Sequence, residues 1–275
     1  GEREIILSSV KRVVVKVGTQ ILRARKSVSA EQRIAELVSS INLLRKRGLE
    51  VILVSSGSIG FGMSAFDLKV RPRRVDRLQA LAAVGQSHLM SCYNRSCEEL
   101  GFHCAQLLLT AADLHDRTRN QHVSQCINAL LEQGVLPIIN ENDSVSVAEI
   151  KVGDNDTLAA YVATMLRADL TILLTTAEGL RYSEKDSNEL KERISVVNEL
   201  DENVIQMAKG TDGNQYSTGG MITKLRAAEI INQSGEAMII ASGANFNLLD
   251  EIFETKDIGT IFLPARKDRL HARQR

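Results

Sequence analysis

A lysine inside an apolar run is the first residue of this sequence that suggests chemistry. Lys16 lies in VVVKVGT, between Val15 and Val17. A buried ammonium group is strongly destabilising unless an anion meets it, and Gly18 would let a phosphate approach the backbone. The ordinary alternative is a lysine near a strand end whose ammonium reaches water. The run therefore predicts either an anion site or a solvated lysine.

A glycine-rich turn follows a second apolar run. In SSGSIGFG, Ser56 and Gly57 lie where backbone N–H groups could point at a carboxylate or phosphate. The pattern matches neither the Rossmann nor the Walker fingerprint. An ordinary tight turn between a strand and a helix is the more common explanation of such a segment, so Ser56 and Gly57 alone are only a weak indication of an anion site.

A third candidate anion site lies late in the chain. STGGMITKL puts Gly219 and Gly220 before a helix, and the N-terminus of a helix favours an anion. Lys224 lies about one turn into that helix and could fold back toward a bound group. A flexible glycine loop is the alternative.

Acidic residues cluster in two further segments. NENDSVS supplies Glu141 and Asp143 just beyond a predicted strand, and VGDND supplies Asp154, Asn155 and Asp156. So many acids predict cationic groups nearby, either a substrate ammonium or orienting lysines. The alternative is a pair of solvated turns with Asp156 as an ordinary helix cap. The spacing of a calcium-binding EF-hand loop is absent.

The composition excludes several classes of partner. The 275 residues contain 34 Lys and Arg and 34 Asp and Glu, so charge favours neither nucleic acid nor an anionic membrane. The four cysteines form no CxxC pair and no zinc-ligand spacing, and we expect most of them to be reduced core residues. No apolar stretch approaches the roughly 18 residues that span a bilayer, and the N-terminus lacks the apolar region of a signal peptide. We therefore expect a soluble cytoplasmic protein.

Apolar runs that alternate with helical periodicity position these residues. Strands are predicted at about 12 to 17, 50 to 55, 104 to 109, 135 to 140, 170 to 175 and 237 to 242. Helices are predicted from Ser29 to Gly48 and over about 75 to 100, 117 to 133, 156 to 167 and 220 to 234. Such alternation indicates parallel βαβ units, whose ligands bind beyond the carboxyl ends of the strands. We expect one domain over residues 1 to 265 and a disordered basic tail over 266 to 275.

Together the segments resemble the glutamate 5-kinases of the amino acid kinase family over essentially the whole chain. The matching segments are VVVKVGT, VILVSSGSIGFG, LAAVGQSHL, PIINENDSV, AEIKVGDNDTLAA, the LLT run before EGL, and STGGMITKLRAA. No single segment is diagnostic, but their order and spacing are highly specific. The resemblance implies an α/β fold, a three-layer αβα sandwich with a mostly parallel sheet. It also implies ATP-dependent phosphorylation of the γ-carboxylate of L-glutamate, the first step of proline biosynthesis.

The resemblance also implies a role for each matching residue. Lys16 and Lys224 are expected to stabilise charge on the transferring phosphoryl group, and Asp156 is expected to organise both lysines. The implied substrate-binding residues are Ser56, Gly57, Asp143 and Asn155. The implied nucleotide-binding residues are Lys16, Thr175, Thr176, Thr218, Gly219, Gly220, Met221, Ile222, Thr223 and Lys224. The implied cofactor is ATP with Mg²⁺ held mainly by the nucleotide phosphates, and no protein metal site is expected.

Two positions depart from the family pattern. Similar kinases usually have an acid where this chain has Thr176, so a charged contact with the nucleotide becomes at best a hydroxyl hydrogen bond. Tyr182 fits the family, but SEKDSNEL replaces the Asp-Pro that often follows it. We therefore expect the adenine pocket to differ most from that of the relatives.

The resemblance further implies feedback inhibition by proline and a homodimer or homotetramer. Many relatives carry a C-terminal PUA domain of the RNA-modification type, which we expect this chain to lack. Another kinase of the same fold, acting on N-acetylglutamate or aspartate, is the nearest alternative function. A pseudokinase that senses nucleotide or glutamate is a second alternative, supported by Thr176 alone.

Overall fold

The computed structural model describes residues 1–145, 155–181, 192–211 and 220–264. Within these ranges the helices are α1 Glu2–Ser9, α2 Thr19–Leu22, α3 Ala30–Lys46, α4 Ser58–Ala65, α5 Val75–Glu99, α6 Ala111–His115, α7 Arg117–Glu132, α8 Asp156–Leu166, α9 Glu202–Thr211, α10 Met221–Gln233 and α11 Leu248–Phe253. The strands are β1 Arg12–Val17, β2 Glu50–Ser55, β3 Cys104–Leu109, β4 Leu136–Glu141, β5 Leu170–Thr175, β6 Val196–Val197, β7 Ala237–Ser242 and β8 Thr260–Phe262.

The chain divides into two compact units. The continuous unit comprises Val17–Asn155, and the two-segment unit comprises Gly1–Lys16 together with Asp156–Arg275. In the continuous unit the strand order is β3-β4-β2, and both strand pairs are parallel.

In the two-segment unit the strand order is β1-β5-β7-β8-β6. The pairs β5–β7 and β6–β8 are parallel, and β7–β8 is antiparallel. These mostly parallel strands, alternating with helices, confirm the predicted α/β fold class. The boundaries of a kinase domain over residues 1–265 stay a prediction, and the basic tail lies outside the described residues.

The apolar runs form the buried strands. In β1 the valines are fully buried, and every residue of β5 is buried. Strands covered on both faces are expected to read as continuous apolar runs, which explains why β1, β2, β4, β5 and β7 match the prediction. The sequence also predicts β3, although only Leu109 in that strand is buried. The helix predicted at Ser29 begins there, since Ser29 caps α3 by accepting a hydrogen bond from Gln32 N. Gly48, which has a φ of 85°, ends it.

Two glycines allow α4 and α5 to touch at backbone distance. A Cβ atom added at Gly62 would lie 2.1 Å from the Leu81 carbonyl oxygen, and one added at Gly85 would lie 1.6 Å from the Ser58 carbonyl oxygen. Any larger side chain at these two positions must displace backbone. The contact fixes the start of α4, which directly follows Ser56 and Gly57.

The structure bears on two other predictions, one about membrane-spanning segments and one about the burial of the cysteines. No helix in the described part of the chain is long and apolar enough to cross a membrane. All four cysteines are free, but only Cys97 is fully buried, whereas Cys92 and Cys104 are half-buried and Cys126 is exposed. The expectation that most cysteines lie in the core was therefore wrong, because apolar neighbours in sequence do not set which helix face a residue occupies.

Candidate active site

Two lysines and an aspartate from distant parts of the chain meet in the two-segment unit. Lys16 extends from β1, Asp156 is the first residue of α8, and Lys224 lies in the first turns of α10. Lys16 Nζ lies 2.7 Å from Asp156 Oδ1, and Lys224 Nζ lies 3.1 Å from Asp156 Oδ2. The lysines are 6% and 5% exposed and Asp156 is fully buried, so Lys16 is not a solvated lysine.

The electrostatics of this cluster favour an anion. Burial alone would raise the pKa of Asp156, but the charges of Lys16 and Lys224 outweigh it and lower that pKa to about 2. Asp156 is therefore ionised at neutral pH, and the three side chains carry a formal net charge of +1. Buried ammonium groups held in this way attract a negative group. A transferring phosphoryl group is such a group.

The start of α10 also contributes a side-chain hydroxyl next to Asp156. The Thr223 hydroxyl lies 3.1 Å from Asp156 Oδ2 and 2.8 Å from the Gly220 carbonyl oxygen. No described side chain caps the N-terminus of α10 at Gly220. A helix N-terminus beside buried lysines is suited to phosphate oxygens, so this part of the structure fits the phosphates of ATP.

The other predicted nucleotide-binding residues fall into two groups. Met221 and Ile222 are half-buried in the first turn of α10, whereas Thr218 and Gly219 lie outside the described residues. Thr175 is the buried last residue of β5, and Thr176 is exposed directly after it. The nucleotide-binding roles of all these residues stay predictions.

The predicted substrate-binding residues lie in the continuous unit. Gly57 has a φ of 111°, a left-handed conformation that favours glycine, and it starts α4 directly after Ser56. Asn155 Nδ2 donates to Ser56 Oγ over 2.9 Å, and Ser58 Oγ donates to Asp143 Oδ2 over 3.4 Å. The structure thus links Asn155 to Ser56 and brings Asp143 to the start of α4. Asp154 and Tyr182 lie outside the described residues.

Two buried or half-buried acids stand next to each other at the end of β4. Glu141 is the last residue of β4 rather than a loop residue beyond it, and it is only 2% exposed. Neither of its carboxylate oxygens has a hydrogen-bond partner among the described residues. Burial, followed by the Glu141 charge, raises the pKa of Asp143 to about 6. This concentration of negative charge fits a cationic group of a ligand.

Sequence reasoning missed two polar residues that join this group. Asn155 Nδ2 donates to Asn140 Oδ1 over 2.7 Å, and Asn140 Nδ2 donates to Gln86 Oε1 over 3.1 Å. Both residues occur in segments that carry the family resemblance, PIINENDSV and LAAVGQSHL. Their presence in those segments could have marked them as site residues. A single side-chain amide, however, carries no sequence pattern that shows which group it hydrogen-bonds.

A protein-held metal site is absent from the part of the chain that the structure describes. No group of three or more His, Cys, Asp or Glu side chains there could hold a metal ion. Magnesium that arrives on the nucleotide phosphates needs no such group.

Comparison with known proteins identifies the family. The amino acid kinase family model matches residues 11–242. The glutamate 5-kinase of Clostridium acetobutylicum is 43% identical over 265 residues, which span 96% of this chain and 99% of that relative. The glutamate 5-kinase of Thermoanaerobacter pseudethanolicus is 45% identical over 258 residues, which span 93% of this chain and 68% of that relative. The solved carbamate kinase from Giardia lamblia bound to AMP-PNP shares the fold, with a TM-score of 0.61 at 19% identity over 93% of this chain and 99% of that one. The chain therefore belongs to the amino acid kinase family and, within it, to the glutamate 5-kinases.

Proposed function

We propose that this chain transfers the γ-phosphoryl group of ATP to the γ-carboxylate of L-glutamate, giving γ-glutamyl phosphate and ADP, the first step of proline biosynthesis. The observation that carries the proposal is the contact of Lys16 and Lys224 with the two oxygens of buried Asp156, in a chain of this family. That arrangement supplies two ammonium groups at fixed positions, and phosphoryl transfer depends on such charge and positioning.

The chemistry needs no general base. A glutamate side chain has a reference pKa of about 4.3, so its carboxylate is already ionised at neutral pH. A carboxylate oxygen forms the new bond to the γ-phosphorus, and the bond to the leaving oxygen of ADP breaks and gives that oxygen its electron pair. Lys16 and Lys224 stabilise the negative charge that builds up on the transferring group and the leaving oxygen. Magnesium bound to the nucleotide phosphates further neutralises their charge.

Asp156 keeps the two lysines apart and in place. Without a carboxylate between them, two buried ammonium groups would repel each other and turn toward solvent. With one ammonium on each oxygen, both remain oriented by salt bridges and neither is neutralised completely. We infer that Asp156 acts through the lysines and does not itself exchange a proton, because its lowered pKa keeps it ionised at neutral pH.

The continuous unit carries the groups that recognise the amino acid. Asp143 and the neighbouring Glu141 provide negative charge for the α-ammonium of glutamate, and Ser56 and the start of α4 provide donors for a carboxylate. An acetylated amino group has no positive charge, so the negative charge of these two acids favours free glutamate over N-acetylglutamate.

Three further properties belong to the same proposal. Feedback inhibition by proline and assembly into a homodimer or homotetramer follow from the family resemblance alone. A cytoplasmic location is consistent with a reaction that consumes ATP and free glutamate. Gel filtration with light scattering would measure the assembly state, and titration of the activity with proline would measure the inhibition.

The experiment that tests the activity measures ADP release with a panel of acceptors. We expect L-glutamate to stimulate release far more than N-acetylglutamate or aspartate, and hydroxylamine to trap the acyl phosphate as a hydroxamate. Stimulation by one of the other two acceptors instead would establish the alternative kinase. No stimulation by any acceptor, with nucleotide still bound, would identify a pseudokinase and refute the proposal.

A further inference from the structure

Three side-chain amides in the continuous unit form a chain of hydrogen bonds. Asn155 Nδ2 donates to Asn140 Oδ1, and Asn140 Nδ2 donates to Gln86 Oε1. Asn155 and Asn140 are almost fully buried, at 6% and 2% exposed, and Gln86 is half-buried on α5. Buried amides with partners at both ends form a rigid unit, because a group left without its partner loses both a hydrogen bond and its solvation.

A backbone group fixes the direction of this chain. The Glu141 backbone N–H donates to Asn140 Oδ1 over 2.8 Å, and a backbone N–H can only donate. The Asn140 atom that it contacts must therefore be the oxygen. The atom of Asn155 that contacts the same oxygen must then be the NH₂ group, and the NH₂ group of Asn140 must face an oxygen of Gln86. One backbone N–H thus settles the orientation of three amides.

This direction decides what Asn155 can offer to a ligand. Its NH₂ group has two hydrogens, and these are directed to Asn140 Oδ1 and Ser56 Oγ. Asn155 can therefore present only its carbonyl oxygen, which is an acceptor. Because Ser56 Oγ accepts one of these bonds, its own hydrogen remains to be donated. The pair consequently has a fixed polarity, with an acceptor at Asn155 suited to an ammonium group and a donor at Ser56 suited to a carboxylate.

The position of Gln86 follows from the contact between α4 and α5. Gln86 comes directly after Gly85, where a Cβ atom would lie 1.6 Å from the Ser58 carbonyl oxygen. The close approach of the two helices therefore fixes the α5 backbone next to Gln86 as well as the start of α4. Ser56 at one end of the hydrogen-bonded chain and Gln86 at the other are both adjacent to this contact. This gives the segment LAAVGQSHL, which no step of the phosphoryl transfer uses, a physical role.

We propose that Gln86 is a positioning residue for amino acid recognition. It holds Asn140, which holds Asn155 so that the carbonyl oxygen of Asn155 accepts from the α-ammonium of glutamate. The proposal rests on the proposed glutamate kinase function and adds how the free amino group is selected. Gln86 acts through Asn140, and no contact between Gln86 and the substrate is required.

The test compares two acceptors that differ only in the ammonium group. Glutarate has the carbon chain and both carboxylates of glutamate but no amino group. We expect Gln86→Met, which removes the acceptor of Asn140 Nδ2, to raise the KM for glutamate about tenfold and to reduce the preference for glutamate over glutarate, measured as a ratio of kcat/KM, by a similar factor. The KM for ATP is expected to stay unchanged. Gln86→Glu keeps an acceptor oxygen for Asn140 and is expected to retain most of the preference.

Controls separate this role from a loss of stability. Gln125→Met makes the same substitution at an exposed position of α7 and should leave both acceptors unaffected. Thermal unfolding of each variant would establish that it is folded at the assay temperature. An equal loss with glutamate and glutarate in Gln86→Met, or no loss with either, would overturn the positioning role while leaving the kinase function intact. A wild-type protein without glutamate-dependent ADP release would overturn both proposals before any variant is compared.

Discussion

Lys16 and Lys224 contact different oxygens of one carboxylate, although 207 residues separate them in the chain. Lys16 Nζ lies 2.7 Å from Oδ1 of Asp156 and Lys224 Nζ lies 3.1 Å from Oδ2. One buried acid thus sets the separation of two positive charges. Each lysine comes from a different element, so the folding of β1, α8 and α10 together creates the charge pattern.

Removal of one lysine should slow the chemical step. We expect Lys224→Ala to lower kcat by at least about tenfold, equivalent to about 1.4 kcal/mol of barrier, because one of the two charges that stabilise the transferring group is lost. ADP release at saturating ATP and glutamate measures the effect. Lys256→Ala, at an exposed lysine of the same unit, is the control. Unchanged turnover in a folded Lys224 variant would remove Lys224 from the mechanism.

Loss of the central carboxylate should weaken the fold itself. Asp156→Asn leaves two buried ammonium groups without their shared counter-charge, and we expect the free energy of unfolding to fall by about 3–5 kcal/mol near pH 7. Urea unfolding followed by circular dichroism measures this difference. Asp67→Asn, at an exposed acid paired only with exposed Lys69 by a salt bridge in the described structure, should change stability by less than about 1 kcal/mol.

The Asp156→Asn variant also tests how acid affects the stability of the fold. The pKa of Asp156 is lowered from 3.8 to about 2, so the folded state favours the ionised form. The stability that this group contributes is therefore fully present above pH 3.8 and is lost as the pH falls through about 2. The difference in unfolding free energy between the wild type and Asp156→Asn should shrink over this range. A difference that stays constant down to pH 2 would contradict the role assigned to the ion pairs.

Recognition of the amino group should depend on pH near neutrality. The pKa of Asp143 is raised to about 6 by burial and by the Glu141 charge, so Asp143 is largely protonated at pH 5 and largely ionised at pH 7. We expect the KM for glutamate to fall as the pH rises between these values, because only the ionised acid attracts the ammonium group. Asp143→Asn should raise the KM for glutamate far more than the KM for ATP and should flatten this pH profile. Equal effects on both substrates would reject the assignment.

The contact between α4 and α5 can be tested with glycine substitutions. Gly62→Ala would place a Cβ 2.1 Å from the Leu81 carbonyl oxygen, so we expect a loss of several kcal/mol of stability or a displaced α4. Gly60→Ala lies in the same helix, where the nearest atom to a new Cβ is Thr19 Cγ2 at 3.6 Å. That variant should be neutral or slightly stabilising, since alanine favours helix over glycine by about 0.5–1 kcal/mol. Equal melting temperatures for the two variants would contradict the close packing.

The strands that could be predicted are those with long apolar runs. β1 and β5 are read directly from VVVKV and TILLT, whereas β6 and β8 contain only two and three residues and leave no periodic signal. The helix α4 was missed because SIGFG has poor helix propensity, and its glycines serve the contact with α5. In such places tertiary packing decides the local structure.

The candidate site was predictable where a residue type conflicts with its surroundings. Lys16 in a valine run demands an anion, and Asp156 supplies it. The sequence predicts Glu141 just beyond the strand, but it ends β4 and is buried, which no local pattern indicates. The sequence does not reveal Asn140 and Gln86, because their importance depends on which atoms they contact and not on their chemical type.

The division of the chain has a consequence for its synthesis. Val17–Asn155 is one uninterrupted stretch, so all of its partners have left the ribosome once residue 155 has emerged, and it can fold early. The strand β1, by contrast, is made first yet neighbours β5, which is translated only after that whole stretch. Asp156 and Lys224 are both translated after that stretch, so the charged cluster that includes Lys16 can form only once the start of α10 has been made.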